Sequence, residues 1–318
     1  MPIEKLGPHL KTTEKAIDAL LLAGFNSVTL ANNHLRDYGD MGVSDTLFHL
    51  ERKGVMHVGA GLDLDEAKKS MMVNIGGCKI CIINACEQEF SLSGRAKAGA
   101  NPLNPIQQYY AIQEERRSGA DRIVVIIHGG HEHFQLPSQR MVETYRFFID
   151  AGANAVVNHH QHCYSGYELY KGKPIFYGLG NFCFDREGCR NGIWNEGYMV
   201  TLDLTNEQPL FTIHPYRQGD EKAGVELLPS DAFDVRLKEL NNIIADSKAL
   251  DEILNEYYAK SADGISNIFE PLRNRYYLAA KRRGWIPSFI GRQRKLSATN
   301  YVCCESHRDK LIYWLSKV

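Results

Sequence analysis

Three segments of this chain follow one pattern: a helix-like stretch closes on glycine, a short apolar run rich in strand formers follows, and the run ends in histidine. They are AGFNSVTLANNH (Ala23 to His34), SGADRIVVIIHGGHEH (Ser118 to His133) and AGANAVVNHHQH (Ala151 to His162). A helix that stops at glycine and passes into a strand is half of an α/β unit. In open α/β sheets the pockets lie beyond the carboxyl ends of the strands. The unit ends, carrying Asn33, His34, His128, Glu132, His160 and His162, are therefore expected to converge on one site, and their chemistry suits a metal ion.

With 318 residues, 44% of them hydrophobic, the chain can bury a full core and has room for one large domain and an appendage. Helix and strand signals alternate up to about residue 215. MMVNI and KICIIN, separated by Gly76 and Gly77, predict a β-hairpin. QRMVETYRFFIDAG, introduced by Pro137, predicts a helix, and NAVVNHH, PIFYGLGNF and GYMVTLDL predict strands. Parallel units mixed with hairpins predict an α/β (α+β) body of two sheets. After that the spacing turns helical, from Asp231 to Tyr258 and from Ser266 to Arg283. The expected organisation is a domain over residues 1–220 and a mainly helical C-terminal appendage over 221–318.

The formal net charge of −1 argues against a chain that seeks polyanions over its whole surface, so electrostatic binding must be local. No stretch approaches the ~18 apolar residues of a membrane span, and Met1 to Lys11 lacks the regions of a signal peptide. As written, the chain is expected to be soluble and cytoplasmic, or membrane-associated if a further N-terminal segment precedes it. Cys78 and Cys81 form a CxxC inside a strand-like run, where residues three apart point to opposite faces. Buried, reduced thiols are expected there.

His160 and His162 stand two apart just beyond a strand, so an extended backbone would present both imidazoles to one side. Such a pair offers two adjacent positions to Zn, Fe, Mn or Ni. His128 ends the apolar run IVVII and enters Gly129 and Gly130, where missing side chains permit close approach to a ligand; a satisfied core histidine is the competing reading. Glu132 is either a carboxylate at the site or a solvent-facing loop acid. An Asn33 oxygen can ligate a cation while His34, turned the other way, protonates a leaving group. Asp37, three residues on, either orients His34 or simply occupies a helix N-terminus.

LANNHLRDYGDMG, IIHGGHEH, and NHHQH followed by GYELYKGKPIFYGLGNFCFD, in this order, resemble the capsule-synthesis protein A (CapA) family, linked to poly-γ-glutamate capsules. The resemblance covers roughly residues 1 to 215. It implies a calcineurin-like metallophosphoesterase fold, a sandwich of two mixed β-sheets flanked by helices. It places Asn33, His128, His160 and His162 at metal-ligand positions and His34 at the position of the substrate-phosphate histidine. Glu132, Glu168, Asn181 and Asp185 also match family motifs, Glu132 as a catalytic candidate with His34 and Asp37, the other three as candidate substrate or site-shaping residues. The implied cofactor is a divalent metal, Mn, Fe or Zn. The chain departs from the pattern in lacking the first strand ending in Gly-Asp and the second acidic motif, so the N-terminal strand or strands of that fold are expected to be missing. Either the recorded start is internal or part of the metal site has been lost. Asn158 stands where the family commonly has Gly, and Gln161 where it often has Pro.

Arg273 to Lys295 holds eight basic residues, Arg282, Arg283, Arg292 and Arg294 among them, with no intervening acid. Tyr276, Tyr277, Trp285 and Phe289 are interleaved. This is either a solvated helix face or a contact for an anionic polymer or acidic membrane surface, which the resemblance places ahead of nucleic acid. The function expected is a metal-dependent phosphoesterase-like protein of capsule or exopolymer biosynthesis, acting on a phosphorylated small substrate or an anionic polymer alongside other capsule-synthesis proteins. The alternative is a non-catalytic polymer-binding, assembly or export factor. No GxxxxGK[ST] loop or GxSxG elbow supports a nucleotide-binding or serine-hydrolase reading.

Overall fold

The computed structural model describes residues 1–5, 7–184, 186–190, 192–219, 224–268, 274–287, 290–291, 295, 298 and 302. In chain order the elements are α1 (Lys15–Leu22), β1 (Ser27–Thr29), α2 (Gly39–Arg52), β2 (Met56–Val58), β3 (Ala60–Gly61), α3 (Leu64–Ala67), β4 (Met71–Ile75) and β5 (Cys78–Cys86). There follow β6 (Gly99–Ala100), α4 (Pro105–Arg117), β7 (Arg122–His128), α5 (Gln139–Ala151), β8 (Ala155–His159), β9 (Tyr167–Tyr170) and β10 (Lys173–Phe176). The last are β11 (Glu196–Asp203), β12 (Leu210–Gln218), β13 (Val225–Leu227), α6 (Ser230–Ala245), α7 (Ser247–Ile268) and α8 (Arg275–Arg282). Two compact units divide the chain, Met1–Leu250 and Asp251–Val318.

The first unit is mixed α/β, as the alternating pattern predicts. Its main sheet has the order β4-β5-β7-β8-β10-β9, with β5, β7, β8 and β10 parallel and an antiparallel strand at each edge. The β4–β5 hairpin is the one expected, turning on Gly76 and Gly77, both at positive φ. A second sheet, β11-β12-β13, is antiparallel. Parallel strands covered on both sides must be apolar throughout, and Ile123, Val125, Ile127, Val156 and Ile175 are buried accordingly. Helix α5 lays Met141, Tyr145 and Phe148 onto this sheet.

The three unit glycines behave as the pattern implies. Gly24, Gly119 and Gly152 have φ of 86°, 92° and 118°, the left-handed region that ends a helix without a Cβ clash. Only the second and third units, however, feed the main sheet. Strand β1 pairs in parallel with β2 in a separate two-stranded sheet, so the first unit reaches the site by another route. Cys78 and Cys81 lie in β5 as free thiols, and burial pushes Cys81 up to about 12. The long helix expected from Asp231 is interrupted at Asp246, whose carboxylate accepts from the Lys248 and Ala249 amides and so starts α7 anew. Helix α6 caps the β9 edge, Asn241 Oδ1 accepting from Tyr167 N at 2.7 Å. In the second unit, α8 buries Tyr277 and exposes Arg275, Tyr276 and Arg282. Among the described residues no helix is long and apolar enough to cross a membrane.

Candidate functional site

Strands β7 and β8 end side by side, with His128 opposite His159 in parallel register. Beyond β8 the backbone is not extended, contrary to the sequence expectation. His160 and His162 have φ of 114° and 58°, and His133 on the neighbouring loop has 60°. An alternating-strand argument therefore does not describe how the imidazoles meet; a left-handed loop delivers them, their ring centroids 6.2 Å apart. Such conformations are costly for residues with a Cβ and persist only where surrounding structure imposes them.

What imposes it lies beneath the loop. Asn158, fully buried, has its Nδ2 2.9 Å from Gly129 O, Gln161 Oε1 and Tyr177 O, three acceptors that share its two N–H groups. Its Oδ1 accepts from Tyr145 Oη at 2.7 Å. The two departures from the family pattern are thus partners: Asn158 and Gln161 hydrogen-bond each other and tie the loop to α5, β7 and the segment after β10.

The first histidine-ended segment, Ala23 to His34, meets β5 through the packing of Ala31 against Cys86 and through one buried amide. Asn84, a polar residue inside the buried strand β5, accepts from Ala31 N at 2.8 Å and donates to Ile126 O at 3.0 Å. Gly59 makes room for this link, since a Cβ there would lie 2.1 Å from Asn84 Oδ1. Asn32 then turns the chain, its Oδ1 accepting from His34 N at 2.8 Å. Asn33 is carried to the end of β7.

Three donor atoms come together as a result. Asn33 Oδ1 lies 3.1 Å from His128 Nε2, which lies 3.1 Å from His160 Nδ1. His162 stands on the wall of the same cleft, its Nδ1 at 2.8 Å from Asn181 Oδ1, which leaves Nε2 as the lone-pair nitrogen. Burial, then the neighbouring His160, His159, His162 and His34, holds His128 well below the usual imidazole range; burial lowers His162 too. Neutral imidazoles are the form that ligates metal. Two nitrogen ligands about 2.0–2.1 Å from one ion stand about 3.0–3.4 Å apart, so the observed spacing fits a divalent cation. Among the described residues no three His, Cys, Asp or Glu side chains form such a group, and the convergence depends on the Asn33 amide.

His34 lines the same cleft and is held from behind. Its Nδ1 lies 2.7 Å from Asp37 Oδ2, and Asp37 is also ion-paired with Lys5 Nζ. Burial pushes the Asp37 carboxyl up, but hydrogen bonds from Lys5, the Leu10 amide and His34 together hold it below the usual carboxylate value. Lys5 Nζ, at 3.0 Å, and Asp37 Oδ2 both lie against Nδ1, so this side of the ring is held while His34 lines the cleft. The contact with His34 that one of the two readings of Asp37 expects is present.

The cleft encloses about 410 Å³ and includes Asn33, His34, Asn84, His128, His162 and Asn181 in its walls. His162 and Phe184 line one wall, their rings stacked at 5.2 Å; Trp194 stacks on His162 at 4.7 Å, and Arg186 lies over Trp194 at 5.7 Å. Asn181 braces His162, donating to its carbonyl at 3.1 Å. Glu132 is exposed on its loop and acts on His162 only through its charge. Glu168 is not among the cleft residues; Arg146 grips it at 2.9 and 2.6 Å and Tyr177 Oη at 2.5 Å, tying β9 to α5. Asp185, Arg292 and Arg294 lie outside the described residues, while Arg282 and Arg283 are exposed. The sequence reading missed Lys5, Asn84, Glu89, His159 and Trp194. Of these only Asn84, an amide within CIINAC, carried a signal.

Residues 2–186 match the family described as bacterial capsule synthesis protein PGA_cap. The chain is 32% identical over 183 residues to the capsule biosynthesis protein CapA of Bacillus anthracis, covering 56% of this chain and 44% of that one. It is 34% identical over 185 residues to the PGA biosynthesis protein CapA of Bacillus subtilis strain 168, covering 56% and 47%. It therefore spans under half the length of these relatives. Among solved structures, the 5′-nucleotidase precursor from Thermus thermophilus aligns at 15% identity and a TM-score of 0.39, over 62% of this chain and 39% of that one.

Proposed function

The chain belongs to the PGA_cap family of bacterial capsule synthesis proteins, and from that premise we propose that it is a metal-dependent phosphoesterase-like protein of capsule or poly-γ-glutamate biosynthesis. The observation that carries this reading is the convergence of Asn33 Oδ1 and His160 Nδ1 on His128 Nε2, each 3.1 Å from it, beside an oriented His34. Asn33, His128, His160 and His162 would hold the ion. A divalent cation, Mn, Fe or Zn, supplies Lewis acidity to a phosphoryl oxygen and lowers the pKa of water. His34, with Nδ1 against Asp37, would deliver a proton from Nε2 to the leaving oxygen when both ring nitrogens carry hydrogen, and would be left as the neutral imidazole. Trp194 and Phe184 shield one side of the cleft, and Asn181 keeps His162 in its rotamer.

The test is hydrolysis of a chromogenic phosphodiester with added Mn²⁺. His34→Ala is expected to slow it about 10²–10⁴-fold, the usual contribution of a general acid, and a His128→Ala, His160→Ala double variant to abolish metal uptake. Folded protein that takes up no Mn, Fe or Zn would end this mechanism.

A second reading, a non-catalytic factor that holds an anionic polymer, is favoured by α8. Arg275 and Arg282 are exposed on it, and Arg283 lies 5.3 Å over the exposed Trp285 ring. Loss of poly-γ-glutamate binding in an Arg282→Ala, Arg283→Ala variant, with no phosphoesterase turnover in the parent, would select it.

A further inference from the structure

Glu89 sits on the loop after β5, outside every motif, yet it touches two members of the donor cluster. Its Oε2 accepts from Asn33 Nδ2 at 3.1 Å, and its Oε1 lies 3.9 Å from His160 Nε2. Those are the atoms of each side chain that face away from the convergence: Asn33 turns Oδ1 to His128, and His160 turns Nδ1 to it. We propose that Glu89 is the positioning carboxylate of this centre, holding the Asn33 amide with its oxygen inward and the His160 ring with Nδ1 inward. The proposal rests on the reading of the cluster as a cation site.

An Asn amide is nearly symmetric in shape, and only its partners decide which end points where. An ionised carboxylate accepts and cannot donate, so it selects Nδ2 and leaves the oxygen free to ligate. A flipped amide would aim N–H at His128 and remove one donor. The same carboxylate favours the His160 tautomer with hydrogen on Nε2, leaving the Nδ1 lone pair inward. At 3.9 Å that second contact works through charge or through one bridging water. A carboxylate behind a ligating imidazole is the usual means of setting ligand orientation and basicity. Here one side chain serves two ligands at once. Its side chain is 41% exposed, so the core does not depend on it.

The experiment measures Mn²⁺ affinity by calorimetry and the visible absorption of the Co²⁺-loaded protein, for the full chain and for Glu89→Ala, Glu89→Gln and His128→Ala. Glu89→Ala is expected to weaken Mn²⁺ binding about 10–100-fold and to alter the Co²⁺ bands, with thermal unfolding of the metal-free protein unchanged. Glu89→Gln, whose amide oxygen still accepts from Asn33 Nδ2, is expected to recover part of the affinity. Parental affinity and spectrum in Glu89→Ala, with binding lost in His128→Ala, would overturn the proposal and leave the cation site standing. Equal destabilisation of the metal-free protein by both Glu89 variants would assign the residue to folding instead. No ion bound by the parent chain, or His128→Ala binding as the parent does, would remove the cation site and the proposal together.

Discussion

The Asp37 carboxylate is where the sequence and the structure meet most closely and also where the sequence falls short. Its place three residues after His34 made it a candidate to orient that ring, and the 2.7 Å contact is there. Its second partner, Lys5, lies 32 residues upstream, and no local pattern links them. The Lys5 and Asp37 side chains are 3% and 1% exposed. Removing one charge from a buried pair leaves the other stranded, which costs about 3–5 kcal/mol. Asp37→Asn is therefore expected to destabilise the protein by that order, and Lys5→Met added to it to restore much of the loss, as denaturant unfolding of the four proteins of the cycle will read. The pH dependence has a definite sign. A carboxyl held below its unfolded value stabilises above about pH 3.8 and loses that contribution as the pH falls through its lower folded value. Asp37→Asn should lack this acid limb of the stability curve.

Among the elements, β7, α5, β8 and the β4–β5 hairpin were legible because period, glycine and capping signals agree there. Gly152 closes α5 as the glycine after Ala151 suggests, while Ser138, next to the Pro137 that introduced the helix in the sequence, is its N-cap. The loop carrying His160 and His162 was not legible. Its left-handed backbone is set by the buried Asn158 from below, a tertiary cause that strand periodicity does not contain. Asn158→Ala would leave Gly129 O, Tyr177 O and the Tyr145 hydroxyl without that partner, and each unsatisfied buried group costs about 1–3 kcal/mol. The variant is expected to lose several-fold in Mn²⁺ affinity as well as about 2–4 kcal/mol of stability. Gln161→Ala should cost less and, combined with Asn158→Ala, be far from additive, because the two side chains share a hydrogen bond.

At the scale of the molecule, composition and alternation gave the α/β class, and the histidine-ended segments named side chains that the structure brings together, Asn33, His128 and His160. How the first unit reaches the others was hidden, because β1 leaves the main sheet for a pairing with β2. The site is thus assembled from separate sheets, with Asn84 as one of the links between them. Gly59→Ala drives a Cβ toward Asn84 Oδ1 at a φ of +90°, where a side chain is strained. It is expected to lower Mn²⁺ affinity at least tenfold, with the β-sheet circular dichroism of the main sheet retained, whereas a variant that merely unfolds would lose both.

Among the described residues, the Ala31 amide is the one backbone donor held by the Asn84 side chain, and its proton exchanges with solvent when that link opens. In deuterated water its exchange would run on a separate clock from the amides of Val125 or Val156 in the central strands. The protection of one proton at Ala31 would then measure how much of the time the two halves of the cleft are joined, with neither ligand nor substrate in hand.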